Sequence, residues 1–214
     1  MKRGLGFAVT FILLAVSIAA LGQTPAPSPS HPLVILIGPP LSGKTTFITS
    51  MSKTYGMPAI SIEDLITDNA AELDKLRPQG TSLAEMRYDP AMSRFFQSRV
   101  KTTDLSHGLL LDGYPATVLQ GQDLAKMIPD LKLLPFVLQL EVPDDVVRAR
   151  AKKSGRESDS PAIIEQRLKD YHREFDFASS FFPNAKIVKI DANQPEAKTW
   201  QAIQTALDQA GIKP

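Results

Sequence analysis

Residues 33–46, LVILIGPPLSGKTT, decide the fold of this 214-residue chain. The run LVILI is short, apolar and rich in β-branched residues, which indicates a strand buried on both faces, as in a parallel sheet. The residues after it fit the pattern G-x-x-x-x-G-K-[ST], and a helix is predicted from Lys44 to residue 53. A glycine turn between a strand and a helix start presents consecutive N–H groups to an anion. The sequence therefore predicts a phosphate-binding loop.

Three residues of this loop supply different parts of the chemistry. Gly43 lets the backbone approach a phosphate closely, and Lys44 brings a mobile positive charge to the outer phosphates. The Thr45 hydroxyl is suited to ligate Mg²⁺. The alternative is a chance glycine–lysine loop, but the strand directly before it and the helix directly after it favour nucleotide binding.

The composition excludes several other classes of protein. With 43% hydrophobic residues, 22% charged residues and a net charge of +1, the chain is typical of one medium-sized globular domain. The balanced charge argues against a dedicated nucleic-acid binder. The absence of cysteine excludes a disulfide scaffold, a thiolate zinc site, an iron–sulfur cluster and a cysteine nucleophile. The histidines, at positions 31, 107 and 172, have no metal-ligand spacing.

Strands and helices alternate along the rest of the chain. Further strands are predicted at residues 58–62, 109–112, 135–142 and 186–190. Helices are predicted at residues 63–76, 91–102, 143–153, 161–179 and 195–210. This alternation predicts an α/β fold with a doubly wound, five-stranded parallel sheet flanked by helices.

Asp112 is a second candidate for chemistry. It ends the apolar run at residues 109–111, so we expect its carboxylate at the carboxyl edge of the sheet, where ligands bind in such folds. In enzymes with this kind of phosphate loop, a carboxylate at that position holds Mg²⁺. The alternative is a strand-end aspartate that caps the turn containing Gly113 and Pro115.

The N-terminal segment is predicted to lie outside the domain. Lys2 and Arg3 precede an apolar run at residues 5–21, and this layout is typical of a secretory signal peptide at residues 1–22. Cleavage is expected before Gln23. One alternative is an uncleaved membrane anchor, since the run is close to the roughly 17–25 residues of a spanning helix. The other is a buried N-terminal helix.

A linker is predicted to follow the signal segment. Residues 23–32 alternate proline with small polar residues, which favours an extended spacer, so the globular domain is expected at residues 33–214. We expect the chain to be exported, either periplasmic or secreted, and to meet a membrane only through residues 5–21.

Four stretches, in order along the chain, resemble signatures of the adenylate kinase family. They are GPPLSGKTT at residues 38–46, DGYPAT at 112–117, RAKKSGR at 150–156 with Arg167 beyond it, and IDA at 190–192. The first is specific by itself, and the others gain weight from their order and spacing. The resemblance implies a P-loop NTPase-like fold with a small helical acceptor-binding insertion at about residues 60–100 and a short lid at about residues 154–161.

The resemblance also implies roles for the basic residues. Members of this family transfer the γ-phosphoryl group of ATP to AMP with Mg²⁺ and without a covalent intermediate. Lys44 and the N–H groups of residues 42–46 would hold the β- and γ-phosphates. Arg150 would contact the donor phosphates, while Arg156 and Arg167 would bridge toward the acceptor phosphate. Guanidinium groups suit these roles because they pair bidentately with phosphate and stay charged; the alternative is a solvated helix face.

The other implied contacts divide between the two nucleotides. For the donor, they are the loop residues Gly38, Ser42, Gly43, Thr45 and Thr46, with Ala192 against the ATP adenine. For the acceptor, they are Gly113, Tyr114 and Gln120, the last of which matches a glutamine that reads the acceptor adenine.

The acceptor half departs from the family pattern. Ala116 and Thr67 stand where two acceptor-binding arginines are expected, and Val146 stands where an adenine-stacking arginine is expected. The first aspartate after the Gly–Arg pair is replaced by Ser158. Losing two charge-assisted contacts would cost about 3–6 kcal/mol of acceptor binding if nothing replaces them. The insertion offers four arginines as replacements, Arg77, Arg87, Arg94 and Arg99, which could equally be surface residues.

Three functions fit these residues. The first is a monomeric nucleoside monophosphate kinase that uses ATP and Mg²⁺ and binds no nucleic acid. The second is an exported nucleotide-binding protein of the same fold with weak or lost kinase activity. The third is a kinase of the same fold that acts on a metabolite other than a nucleotide. In an active enzyme, the acceptor segment and the lid would close over the substrates and exclude water.

Overall fold

The computed structural model describes residues 30–182 and 185–214. The predicted signal segment and residues 23–29 of the predicted linker lie outside the described residues. Within the described part of the chain, no helix is long and apolar enough to cross a membrane.

A single parallel sheet organises the described residues. Its five strands lie in the order β2-β3-β1-β4-β5, and every pairing is parallel. This confirms the predicted five-stranded parallel sheet. The strands are β1 (His31–Ile37), β2 (Ala59–Ser61), β3 (Leu109–Asp112), β4 (Leu133–Glu141) and β5 (Lys186–Asp191).

Helices connect the strands and cover both faces of the sheet. They are α1 (Lys44–Tyr55), α2 (Ile62–Asp68), α3 (Ala70–Leu76), α4 (Ala91–Lys101), α5 (Val118–Leu131), α6 (Asp144–Ser154), α7 (Pro161–Phe181) and α8 (Glu196–Gln209). Two short 3-10 helices, at Leu83–Tyr88 and Glu157–Asp159, lie within the predicted insertion and the predicted lid.

The apolar run of β1 is explained by two buried clusters, one on each face of the sheet. Val34 and Leu36 pack into the cluster that contains α1 and α8, while Leu33 and Ile35 pack into the cluster that contains α4 and α5. Successive side chains of a strand point to opposite faces, so a central parallel strand must be apolar at every position. Burial on both faces fixes the carboxyl end of β1, and with it the loop that follows.

The start of β1 and the division of one predicted helix differ from the predictions for identifiable reasons. β1 begins at His31, before the predicted residue 33, because its N–H donates to the Lys132 carbonyl at 2.8 Å and extends the ladder with β4. The helix predicted at residues 63–76 is two helices, α2 and α3. They separate at Asn69, whose side-chain amide donates to the Leu65 carbonyl at 2.7 Å. Asparagine favours such breaks because its amide competes for backbone partners.

The sequence reasoning missed α5 entirely. Thr117 is its N-cap, and the threonine hydroxyl accepts a hydrogen bond from the Gln120 N–H. A threonine cap before apolar residues at positions 118, 119 and 124 was the available signal. Pro129 in the last turn obscured it, although a proline near a helix end breaks little of the helix.

Candidate active site

The two predicted chemical motifs meet at the carboxyl edge of the sheet. β1 and β3 are neighbours in register, with Leu36 beside Asp112, so the phosphate-binding loop and this carboxylate emerge side by side. A single cavity there is lined by Gly38, Lys44 and Asp112. Crevices at this edge of an open α/β sheet are where ligands bind.

The loop between β1 and α1 has the backbone geometry of an anion cradle. Leu41 has a φ of 59° and Gly43 a φ of 90°, so two residues of one short loop are left-handed. A positive φ costs conformational energy for leucine but almost none for glycine. In such a loop, successive N–H groups point to the same side, where an anion can accept their hydrogen bonds. No side chain caps the N-terminus of α1, and its first turn holds no acidic residue. The positive end of α1 is therefore available to an anion.

Lys44 is folded back over this loop. Its Nζ donates to the Gly38 carbonyl at 2.7 Å and to the Pro39 carbonyl at 3.0 Å. The bonds keep the ammonium over the cradle, where phosphate oxygens can exchange with the carbonyls as acceptors. The Thr45 and Thr46 side chains beside it are exposed, and the Ser42 side chain is buried in the loop.

The Asp112 carboxyl group lies near both positive and negative side chains. It is 9% exposed, and burial raises its pKa, with Glu63 and Asp64 acting in the same direction. Lys44 and Arg87 oppose that rise because their positive charges favour the carboxylate. A cation next to Asp112 would shift the balance further toward the ionised form.

The residues present fit a magnesium ion that is bound mainly through a nucleotide. Thr45 and Asp112 supply a hydroxyl and a carboxylate, the hard oxygen ligands that Mg²⁺ prefers. Within residues 30–182 and 185–214, no group of three or more histidine, aspartate or glutamate side chains could hold a metal ion. Mg²⁺ commonly takes one or two protein oxygens and completes its shell with phosphates and water.

Arg150 joins two loops that border the predicted donor site. Its Nη1 donates to the Leu41 carbonyl at 2.9 Å, and its Nη2 donates to the Ala192 carbonyl at 2.9 Å. Leu41 belongs to the phosphate-binding loop, and Ala192 follows β5 at the position predicted to contact adenine. The guanidinium thus fixes the spacing between the two loops, in addition to any contact with phosphate.

Asp159 lies beside both arginines that were predicted to bridge toward the acceptor phosphate, Arg156 and Arg167. Its side chain is 2% exposed and lies 2.8 Å from Arg156 Nε and 3.6 Å from Arg167 Nη1. The Ser154 hydroxyl donates to it at 2.7 Å. This hydrogen bond, together with Arg156 and Arg167, lowers the pKa of Asp159, although burial acts against them. Asp159, one position after Ser158, is therefore the carboxylate that serves this part of the lid.

The two predicted bridging arginines line different cavities. Arg167 projects from α7 and lines the cavity that contains Lys44 and Asp112. Arg156 lies in a separate groove between α6 and α7, which Arg148 also lines. The structure brings one of the two predicted bridging arginines to the phosphate edge and leaves the other on the lid.

The predicted acceptor residues are more deeply buried than a contact surface requires. Tyr114 is 2% exposed and stacks on Phe96 with ring centroids 4.2 Å apart, and burial raises the pKa of Tyr114 to about 12. Gln120 is fully buried. The amide oxygen of Gln120 accepts from the Ala116 N–H at 2.8 Å, and its amide nitrogen donates to the Arg87 carbonyl at 2.9 Å. Of the predicted acceptor contacts, Gly113 and the Tyr114 segment line the cavity.

The positions that lack the expected arginines carry no substitute charge. Ala116 is 3% exposed. The Thr67 hydroxyl donates to the Glu63 carbonyl within its own helix at 2.9 Å. Neither side chain offers a positive charge to a phosphate dianion.

Several cavity-lining residues were not predicted individually. Arg87 appeared only as one of four candidates, and Glu63 and Asp170 were not assigned a role. Tyr171 also lines the cavity, and Arg167, Asp170 and Tyr171 lie three and four positions apart on α7. That spacing places them on one helix face, which is the signal that could have found Asp170.

Comparison with known proteins agrees with the fold. Residues 36–186 match the family model described as Adenylate kinase. An adenylate kinase of Cyanothece sp. is 30% identical over 186 residues, which covers 82% of this chain and 95% of that protein. An adenylate kinase of Nocardia farcinica is 33% identical over 145 residues, 66% of this chain and 80% of that protein. One of Micrococcus luteus is 34% identical over 149 residues, 66% of this chain and 73% of that protein.

Proposed function

The chain belongs to the adenylate kinase family, and from this premise we propose that it transfers the γ-phosphoryl group of ATP to a nucleoside monophosphate. Family membership makes it a nucleotide kinase of the nucleoside monophosphate kinase class. The observation that carries the specific reaction is the cavity at the carboxyl edge of β1 and β3. It collects Lys44, Asp112 and Arg167 from three separate elements around the phosphate-binding loop.

The donor side supports ATP. The loop, with its two residues of positive φ, and the uncapped start of α1 favour a polyphosphate. The Lys44 ammonium lies beside them and donates to two main-chain carbonyls, which phosphate oxygens can replace as acceptors. Arg150 holds this loop at a fixed distance from the segment at Ala192. The two segments would therefore be correctly spaced for the phosphates and the base of one nucleotide.

The reaction needs positioning and charge stabilisation more than covalent chemistry. An oxygen of the acceptor phosphate bonds to the γ-phosphorus, the bond from that phosphorus to the β–γ bridging oxygen breaks, and the electrons leave with ADP. Lys44 and Arg167 stabilise the charge that spreads over the transferring group. Mg²⁺, held by Thr45 and Asp112 with phosphate oxygens, would neutralise part of the same charge.

The lid supports exclusion of water. Gly155 ends α6 with a φ of 64°, and the 3-10 helix Glu157–Asp159 leads directly into α7. This short segment carries Arg156, so its closure would bring a guanidinium toward the substrates and would also remove solvent from the site. Water must be excluded because it would otherwise compete with the acceptor phosphate for the γ-phosphoryl group.

The test is phosphoryl transfer by the full chain. Purified protein is incubated with ATP, Mg²⁺ and each of AMP, GMP, CMP and UMP, and the nucleoside diphosphates are separated and quantified. We expect transfer to at least one acceptor. In the Lys44→Ala variant, both transfer and ATP binding are expected to be lost, whereas Lys53→Ala, on the exposed last turn of α1, should behave as the wild type.

The same experiment separates the alternatives. ATP binding that depends on Lys44, without transfer to any of the four acceptors, would contradict the kinase assignment and favour a binding protein of the same fold. ADP formation that requires a different phosphoryl acceptor would favour the metabolite kinase.

We also propose that the chain is exported, on the sequence of its first 22 residues. The test is fractionation of cells that express the full chain, with the N-terminus of the recovered protein read by mass spectrometry. A periplasmic or secreted protein that begins at Gln23 is the expected result. An intact N-terminus in the membrane fraction would indicate an anchor, and a cytoplasmic protein would contradict export.

A further inference from the structure

Arg87 differs from the other arginines of the insertion in what its guanidinium faces. Arg87 lines the cavity that contains Lys44 and Asp112. The other three each pair with a carboxylate outside the cavity lining: Arg77 with Asp74, Arg94 with Glu72, and Arg99 with Asp68. Of the four candidates, only Arg87 is positioned to meet a ligand beside the phosphate-binding loop.

The Arg87 side chain is largely enclosed, and its binding capacity is only partly used. It is 26% exposed, and its Nη1 lies 3.9 Å from Glu63 Oε1, beyond a hydrogen bond. Its Nε is buried without a hydrogen-bond partner among the described residues. Burying a guanidinium nitrogen without a partner is unfavourable, so a ligand that accepts its hydrogen bond is expected to be stabilised there.

Gly113 lets the guanidinium come close to the end of β3. A Cβ built on Gly113 would lie 3.2 Å from Arg87 Nη2 and 2.8 Å from Ile62 Cγ2. Any side chain at this position would therefore displace Arg87 or Ile62. The glycine that follows Asp112 keeps the guanidinium at the edge of the cavity.

The carboxylates that line this cavity would repel a phosphate unless a positively charged side chain lies nearby. Glu63, Asp112 and Asp170 all line it, and an incoming phosphate dianion would meet their negative charge. Arg87 lies beside two of these carboxylates, since its Nη1 is 3.9 Å from Glu63 Oε1 and its Nη2 approaches Gly113, the residue after Asp112. A guanidinium can bind two oxygens of one phosphate and stays charged at any relevant pH.

We propose that Arg87 binds the phosphate of the acceptor nucleotide and replaces the guanidinium groups that are missing at positions 67 and 116. This inference rests on the proposed function. Gln120 is the positioning residue for Arg87, because its buried amide holds the Arg87 carbonyl at 2.9 Å and the Asp89 carbonyl at 3.4 Å. Since Arg87 meets the phosphate and not the base, its contribution is the same for every nucleoside monophosphate.

The test compares Arg87→Gln and Arg87→Lys with the wild type. Arg87→Gln should raise the acceptor KM by at least tenfold, equally for AMP, GMP, CMP and UMP wherever the wild type uses them, with the ATP KM within twofold. Arg87→Lys keeps a positive charge but loses the bidentate geometry, so its acceptor KM should lie between those of the wild type and Arg87→Gln. Arg94→Gln is the matched control, because Arg94 lies on the exposed face of the same insertion, and it should leave both KM values unchanged.

Thermal melts and calorimetry complete the test. Thermal melts establish whether Arg87→Gln is folded, and if it is not, Arg87→Lys carries the comparison. An unchanged acceptor KM in a folded, active variant would overturn the role of Arg87 while leaving the kinase function intact.

If the wild type transfers to no acceptor, the proposed function fails separately, and calorimetric binding of AMP decides the role of Arg87. AMP binding that is lost in Arg87→Gln would support the site. No AMP binding by the wild type, or binding unchanged in the variant, would overturn it.

Discussion

The side-chain amide of Gln120 donates a hydrogen bond of 2.9 Å to the main-chain carbonyl of Arg87, a residue 33 positions earlier in the chain. The other end of the same amide accepts from the Ala116 N–H at 2.8 Å. One buried side chain therefore ties the insertion between β2 and β3 to the loop that follows β3. Because both ends are used, Gln120 fixes the place from which the Arg87 side chain enters the cavity.

Gln120→Met should separate this role from simple packing. Methionine has a similar size but cannot replace the hydrogen bonds, so buried main-chain groups lose their partners at a cost of about 1–3 kcal/mol. We expect a lower melting temperature and an acceptor KM raised several-fold, with the ATP KM unchanged. Gln122→Met, on the exposed side of α5, is the control and should alter neither. A lower melting temperature with both KM values unchanged would make Gln120 purely structural.

The sheet could be predicted because its information is local. The strand at residues 109–112 was predicted with its observed bounds, since an uninterrupted apolar run that ends in an aspartate fits few other structures. Boundaries failed where a distant partner or one polar side chain decides them. The first two residues of β1 depend on pairing with β4, and the division between α2 and α3 depends on the Asn69 amide.

The site residues also fall into those that could be predicted from local sequence and those that depend on distant contacts. Lys44 and its loop are contiguous in sequence, so their chemistry could be deduced from spacing alone. Arg87 could not be chosen from four arginines, because the choice depends on which guanidinium the insertion turns toward Asp112. Likewise, the amide bonds of Gln120 to main-chain atoms carry no sequence signature, and its predicted contact with the acceptor base stays a prediction.

Arg150→Met should weaken ATP binding specifically. The variant loses two charge-assisted hydrogen bonds, to Leu41 and Ala192, so the phosphate-binding loop and the loop after β5 are no longer held together. Each such bond contributes about 1.5–3 kcal/mol, so we expect at least a tenfold rise in the ATP dissociation constant, measured by calorimetry. Arg148→Met is the control on the same helix, because Arg148 pairs on the surface with Glu165. Equal effects of the two variants would contradict this role.

Asp112→Asn should stabilise the protein while it impairs catalysis. Burial raises the pKa of Asp112 in the folded state, so the folded protein binds more protons than the unfolded chain, and stability falls as pH rises through that interval. Asparagine removes this penalty. The variant should therefore melt at a higher temperature than the wild type at pH 7, and the difference should disappear below the ordinary aspartate pKa of about 3.9. Transfer measured with ATP and Mg²⁺ should fall at least tenfold, because the carboxylate proposed to hold Mg²⁺ is lost.

Asp159→Asn should change stability in the opposite direction. The Ser154 hydroxyl, Arg156 and Arg167 lower the pKa of Asp159 in the folded state, so its carboxylate stabilises the fold above the unfolded pKa. That contribution is lost as pH falls through the folded pKa. The variant should melt below the wild type at pH 7, and the gap should close under strongly acidic conditions. Its kcat should also fall, because Arg156 and Arg167 lose the anion that orients them.

The two aspartate variants are each other's controls, since each removes one buried carboxylate with almost no change in shape. Melting curves from pH 3 to pH 8 should give differences from the wild type of opposite sign at neutral pH. The Asp112→Asn difference should disappear at the acid end of this range, whereas the Asp159→Asn difference should only begin to narrow there, because the folded-state pKa of Asp159 is lowered. Two variants that both melt below the wild type at pH 7 would contradict the assignment of Asp112 as a carboxylate held at an energetic cost. The site would then lack the unfavourable burial that a cation at Asp112 is expected to relieve.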